Sequence, residues 1–137
     1  MKKRIIGIDF GLKRTGIAIT DENNIIASGL TTVLSSELMT FLKKIVVEKN
    51  VGKIVLGEPK RLNMEDSHTS ENVRLFKEAL TKEFPDIEII MMDERFTSKL
   101  AMDALIRGGV PKKKRREKGI LDEVSATIIL QSYLSRI

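Results

Sequence analysis

The chain contains no cysteine, which excludes disulfides, thiolate nucleophiles, zinc–thiolate sites and iron–sulfur clusters. Histidine is nearly as scarce. His68 is the only one, and it stands in a polar stretch with no nucleophile-elbow signature, so a Ser/His/Asp system has little to be built on. Aromatic residues make up 4% of the sequence, too few for ring stacking to be a main source of affinity for any ligand. No apolar run approaches the roughly 18 residues that span a bilayer. Met1-Lys2-Lys3-Arg4 leads straight into a strand-like run rather than a signal-peptide core. These absences predict a cytoplasmic protein without membrane association, whose chemistry rests on carboxylates, hydroxyls, amines or bound metal.

What is present fits one soluble α/β domain over residues 1–137. A chain of 137 residues is long enough to bury roughly two-thirds of its unfolded surface. Hydrophobic residues at 42% and charged residues at 31% match a globular protein. The net charge of +5 and the pI of about 9.5 suit a polyanionic partner. The basic residues concentrate in Lys112-Lys113-Lys114-Arg115-Arg116-Glu117-Lys118. Such a run is either a solvated loop or a set of phosphate contacts with steep salt dependence.

Hydrophobic periodicity divides the chain further. Arg4 to Asp9 reads as a buried central strand, followed by strands at Gly16 to Thr20 and Ile25 to Leu30 joined by polar turns, which is an antiparallel meander. The period then becomes helical through Leu38, Phe41, Leu42, Ile45 and Val46, with Ser35 or Ser36 placed as the cap. A strand at Lys53 to Gly57, a helix from Glu71 to Phe84 and a strand at Ile87 to Met92 follow, so the later strands pair in parallel through right-handed crossovers. Helices from about Thr97 to Arg107, stopped by Gly108-Gly109, and from about Leu121 to the end complete the pattern. Three antiparallel strands, then two parallel ones, in a five-stranded mixed sheet flanked by helices form the ribonuclease-H-like arrangement.

Three acidic positions stand out, each with two open readings. Asp9 closes an apolar strand, where it either caps the turn at Phe10-Gly11 or serves a ligand in the space cleared by Gly7, Gly11 and Gly16. Asp93-Glu94-Arg95 follows the apolar run Ile89-Ile90-Met91-Met92. Its acids are either one half of a surface pair with Arg95 or groups facing a ligand at the C-terminal end of a parallel strand. Asp122-Glu123 opens the last predicted helix, where the dipole favours acids whatever their function. Both lie within about 50° of the stripe Ala126, Leu130, Tyr133 and Ile137, so periodicity does not decide which of them faces the sheet. If the acids converge, their repulsion requires protons or cations, and oxygen-only ligation selects Mg²⁺ or Mn²⁺. Two such ions could activate a water and stabilise the leaving oxygen of a phosphodiester.

Four motifs add a family resemblance over essentially the whole chain: Ile8-Asp9-Phe10-Gly11-Leu12-Lys13-Arg14-Thr15-Gly16, Gly57-Glu58-Pro59, Asp93-Glu94-Arg95-Phe96-Thr97-Ser98, and Asp122-Glu123-Val124-Ser125-Ala126-Thr127-Ile128-Ile129-Leu130. In this order they resemble the YqgF (RuvX) family, whose members are described as Holliday-junction resolvases or as nucleases maturing the precursor of 16S rRNA. The resemblance implies that Asp9, Glu94 and Asp122 are the catalytic, metal-holding acids. It also implies that Lys13, Arg14, Arg95 and Thr97 contact substrate or support the site, with Asp93 and Glu123 as supporting residues. Lys112, Lys113, Lys114, Arg115 and Arg116 would hold the backbone of precursor rRNA or branched DNA by charge. Glu58 stands where the family often has leucine, and Asn63-Met64-Glu65-Asp66 lacks the usual glycine, so Glu58 is either an extra ligand or a strand-end residue. These departures, with His68, leave the role of the Pro59 to Ser70 loop open.

Other classes compete. Asp9-Phe10-Gly11 also resembles the first phosphate motif of sugar kinases and actin-like ATPases, but those need two such domains around the nucleotide. A factor that binds nucleic acid or the ribosome without cleaving would keep the fold and the basic loop. The chain is expected to be a monomer or a homodimer, and junction cleavage on paired strands would call for a two-fold dimer.

Overall fold

Strand β1 (Arg4–Asp9) is apolar between its charged ends because both faces of the sheet at its centre are covered. The computed structural model describes residues 3–58, 68–93 and 118–136. Among them β2 (Arg14–Thr20) and β3 (Ala27–Leu34) continue from β1 as an antiparallel meander. Strand β4 (Val51–Glu58) pairs in parallel with β1, and β5 (Glu88–Asp93) in parallel with β4. The sheet order is β3-β2-β1-β4-β5, the predicted mixed arrangement. The three parallel strands β1, β4 and β5 end in Asp9, Glu58 and Asp93, so each finishes on an acid at the same edge of the sheet.

Helices α1 (Leu38–Glu48) and α2 (His68–Glu83) cover one face. Leu38, Leu42 and Ile45 from α1 and Val73 and Leu80 from α2 join Ile6, Ile8, Ile17, Ile54 and Leu56 in the larger core layer. Helix α3 (Lys118–Leu134) covers the other face, burying Ala126, Ile129, Leu130 and Tyr133 against Ile5, Ala18, Val55 and Met92. Side-chain alternation along β1 therefore sends Ile6 and Ile8 toward α1 and α2, and Ile5, Gly7 and Asp9 toward α3.

The α3 face is lined by small residues, and this sets how close the helix lies. A Cβ on Gly7 would stand 2.7 Å from Leu130 Cβ and 3.0 Å from the Ala126 carbonyl oxygen. Gln131 also reaches from α3 to the edge strand, where its side-chain oxygen accepts the Ala27 N–H at 3.1 Å. Across the sheet from Ala27, the Lys53 ammonium on β4 donates to the Tyr133 hydroxyl at 3.1 Å. That hydrogen bond, opposed by burial and aided by nearby Glu88, raises the lysine pKa.

Several boundaries differ from the sequence expectations for identifiable reasons. Strand β3 begins at Ala27, leaving Ile25 and Ile26 exposed in the turn, because the Asp21 carboxylate accepts both of their N–H groups, at 2.7 and 3.0 Å. The same hydrogen bonds lower the Asp21 pKa. Neither Ser35 nor Ser36 caps α1. Ser35–Glu37 forms a 3₁₀ turn, the N-cap position is Glu37, and the Ser35 hydroxyl donates to Gly11 instead. Helix α3 starts at Lys118 rather than near Leu121, which puts Asp122 in the second turn and removes the dipole as a reason for its presence. The predicted helix from Thr97 to Arg107 lies outside the described residues.

Candidate active site

The site forms where α3 crosses the ends of β1 and β2. Asp9, the last residue of β1, is level with Gly16 on β2. Gly16 faces α3, and a Cβ there would fall 1.9 Å from the Asp122 carbonyl oxygen and 2.8 Å from the Glu123 nitrogen. The α3 backbone thus rests directly on the strand position paired with Asp9. Two acids 113 positions apart in the chain are brought to one edge by a glycine that lets helix and sheet touch.

Arg14, which opens β2, completes the local charge pattern. Its Nε lies 3.5 Å from Asp122 Oδ2, with the two side chains 31% and 27% exposed. The contact is a charge pairing at the limit of hydrogen-bond reach, and among the described residues neither buried atom has a well-formed hydrogen-bond partner. Burial raises the Asp122 pKa, and the Arg14 charge offsets this only in part. A buried carboxylate oxygen without a donor among the described residues, in a position that disfavours the bare anion, suits a divalent cation, whose charge would reverse that penalty.

The sign of this penalty gives a prediction. A carboxyl whose folded pKa is raised binds its proton more tightly in the folded state, so ionised Asp122 opposes folding and that opposition fades as pH falls through the raised pKa. In EDTA at pH 7, Asp122→Asn should therefore melt at the wild-type temperature or about 1–3 °C above it, while losing activity. A drop of more than about 5 °C would mean that attraction to Arg14 outweighs burial.

Glu123 points elsewhere. Its carboxylate accepts from the Thr32 hydroxyl at 3.4 Å on edge strand β3, and it flanks Gly29, so of the adjacent acids Asp122 is the one set over the β1–β2 pair. The periodicity of the helix left that choice open. Lys13, in the turn between β1 and β2, is exposed to solvent. Glu94, Arg95, Thr97, Lys112, Lys113, Lys114, Arg115 and Arg116 lie outside the described residues, as does the Pro59 to Ser67 part of the variable loop. Among the described residues, no three acids or histidines come together as a metal-binding group.

Sequence reasoning missed two features. One is the pairing of Arg14 with Asp122, which requires the helix position. The other is a pair of hydroxyls, on Thr15 and Ser35, behind the Phe10–Lys13 turn. Ser35 was read only as a helix cap, and no local motif distinguishes that use from the observed one.

Comparison with known proteins supplies a context for this geometry. The family model described as RuvX, Holliday junction resolvase, matches residues 3–136. The chain is 49% identical over 133 residues to a Flavobacterium psychrophilum protein named "Putative pre-16S rRNA nuclease", covering 97% of each chain. A Phocaeicola vulgatus protein of the same name is 50% identical over 131 residues, covering 96% of this chain and 94% of that one. Among solved structures, the T. thermophilus RuvC in complex with Holliday junction substrate superposes with a TM-score of 0.59 at 12% identity, covering 98% of this chain and 96% of that chain. The fowlpox virus Holliday junction resolvase gives 0.58 at 14% identity, covering 98% and 99%. At such low identity these two structures speak to the fold, and they share the ribonuclease-H-like arrangement seen here.

Proposed function

The chain belongs to the RuvX family of Holliday junction resolvases, and from that membership we propose that it is a metal-dependent nuclease hydrolysing phosphodiester bonds in the precursor of 16S rRNA. The observation that carries this reading is the seating of Asp122 against Gly16, the cross-strand partner of Asp9. Nothing in the packing of an ordinary sheet and helix requires two acids at this contact. A site for cations and phosphate does.

In this proposal Asp9 and Asp122 hold Mg²⁺ or Mn²⁺ together with Glu94. Glu94 follows Asp93, the last residue of β5, in the sequence. The bound cations would polarise the phosphodiester and ease deprotonation of the attacking water. The residues of the chain do the rest. Asp9 and Asp122 fix the charge at the sheet edge, while Arg14 balances Asp122 and is close enough to turn to an incoming phosphate. Lys13 and the segment from Lys112 to Lys118 would hold the nucleic-acid backbone by charge. Arg95 and Thr97 add substrate contacts next to Glu94. No helix among the described residues is long and apolar enough to cross a membrane, and we place the protein's work in the cytoplasm, where the ribosomal precursor is made.

The test is direct. Purified protein with Mn²⁺ is incubated with labelled RNA spanning an end of 16S rRNA and its precursor extension, with single-stranded RNA of scrambled sequence, and with four-way junction DNA. Cleavage concentrated in the precursor RNA is expected. Cleavage of the junction alone would favour the resolvase reading that the family description carries, and binding without any cleavage would identify a non-catalytic factor.

The basic segment is tested separately. Replacing Lys112, Lys113 and Lys114 by alanine should lower the slope of log affinity against log salt by about 2–3, since each lost phosphate contact removes roughly 0.7–0.9. An unchanged slope would remove the segment from the interface.

A further inference from the structure

We propose that Ser35 and Thr15 form a positioning pair that pins the Phe10–Lys13 turn so that Lys13 meets the nucleic-acid backbone beside Asp9; this rests on the nuclease reading above. The Ser35 hydroxyl donates to the Gly11 carbonyl at 2.5 Å. A serine hydroxyl has one proton, so in its 2.8 Å contact with Thr15 it is the Thr15 hydroxyl that donates. Thr15 is fully buried, so its hydroxyl is as fixed as the core around it. The Ser35 N–H then donates to the Lys13 carbonyl at 2.9 Å. One residue, the first after β3, therefore holds two of the four carbonyls in the turn.

The start of the turn is anchored on the face of the sheet that α1 and α2 cover. The Phe10 ring stacks on Phe76 of α2, with centroids 4.9 Å apart and planes 19° from parallel. At Gly11 the backbone is so tightly folded that a Cβ would stand 2.4 Å from the Arg14 carbonyl oxygen. Residues 10, 11 and 13 are thus fixed, while the side chains of Leu12, 59% exposed, and Lys13 stand in solvent beside the site. A lysine on a slack turn loses backbone as well as side-chain freedom when it closes on a phosphate. On a pinned turn only the side chain is left to order.

Asp9 does not depend on this device, because the β1–β2 ladder holds it opposite Gly16. The pair should accordingly govern substrate capture and leave the chemical step alone. Ser35→Ala and Thr15→Val should each raise KM for precursor RNA, and Kd measured in EDTA, by roughly fivefold, the effect of one hydrogen bond, with kcat within about twofold of wild type. Ser35→Thr, which keeps the hydroxyl, should restore wild-type values. Hydrogen exchange at the Leu12 and Lys13 amides should quicken in Ser35→Ala and Thr15→Val but not in Ser35→Thr. On a Lys13→Ala background, Ser35→Ala should weaken binding no further. Additive losses from Ser35→Ala and Lys13→Ala, a fall in kcat with KM unchanged, or unaltered exchange would each overturn the proposal. If the wild-type protein cleaves nothing, the nuclease reading fails by itself, and the binding cycle and the exchange rates still decide the role of the pair.

Discussion

Gly16→Ala should abolish cleavage and destabilise the fold by about 2–4 kcal/mol, the range of a severe overpacking defect. The new methyl carbon would stand 1.9 Å from the Asp122 carbonyl oxygen and 2.2 Å from its carbonyl carbon. Both are backbone atoms of a regular helix, so no side-chain rotation relieves the overlap, and α3 must lift from the sheet. Lifting α3 would carry Asp122 away from Arg14 and from the edge where Asp9 ends β1. Gly29→Ala is the internal control. Its Cβ would meet Thr127 and Glu123 side-chain atoms at 3.4–3.5 Å, ordinary contact distances, so it should melt within about 2 °C of wild type and cleave normally. Thermal melts with a cleavage assay on both variants check the pair. Equal behaviour of the two glycine variants would contradict the claim that helix contact at Gly16 builds the site.

The second large effect is expected at Asp9. Asp9→Asn keeps the shape of the side chain and the ladder hydrogen bonds of its backbone while removing the negative charge. Cleavage should fall by about a thousandfold or more, as expected when a metal-holding carboxylate is lost, with the melting temperature within about 3 °C of wild type. Full activity in the variant would refute the assignment. A large loss of stability would instead point to Asp9 as a structural cap on the Phe10-Gly11 turn.

The strands and helices of the described residues were legible in the sequence because each carries its period openly. Ile6 and Ile8 announce a buried strand, and Leu38, Leu42 and Ile45 a helix face, and the structure buries all five. The parallel pairing of the later strands followed from the helices between them and from the handedness of crossovers. The position of Asp9 at the close of an apolar strand was legible as well, and an acid there needs a reason. Harder to read were features set by three-dimensional competition for one group. Asp21 took the N–H groups of Ile25 and Ile26 and moved the start of β3. Gly11 took the hydroxyl of Ser35 that a cap would have used. The choice between Asp122 and Glu123 turned on the rotation of α3 over Gly16 and Gly29, a matter of packing between distant segments that helical period cannot supply. Lys13 and Arg14 were named together by resemblance, yet the fold separates them: Arg14 turns to Asp122 and Lys13 stays in solvent.

Under the proposed function, Asp9 and Asp122 serve a single cation site at the edge where β1 ends. Isothermal calorimetry of Mn²⁺ binding to the wild-type protein, Asp9→Asn and Asp122→Asn, without nucleic acid, tests it most directly. Manganese uptake by the wild type is expected, with at least about tenfold weaker binding in each variant, as when one ligand of a shared ion is removed. No uptake by the wild type, or the same affinity in all three proteins, would contradict it.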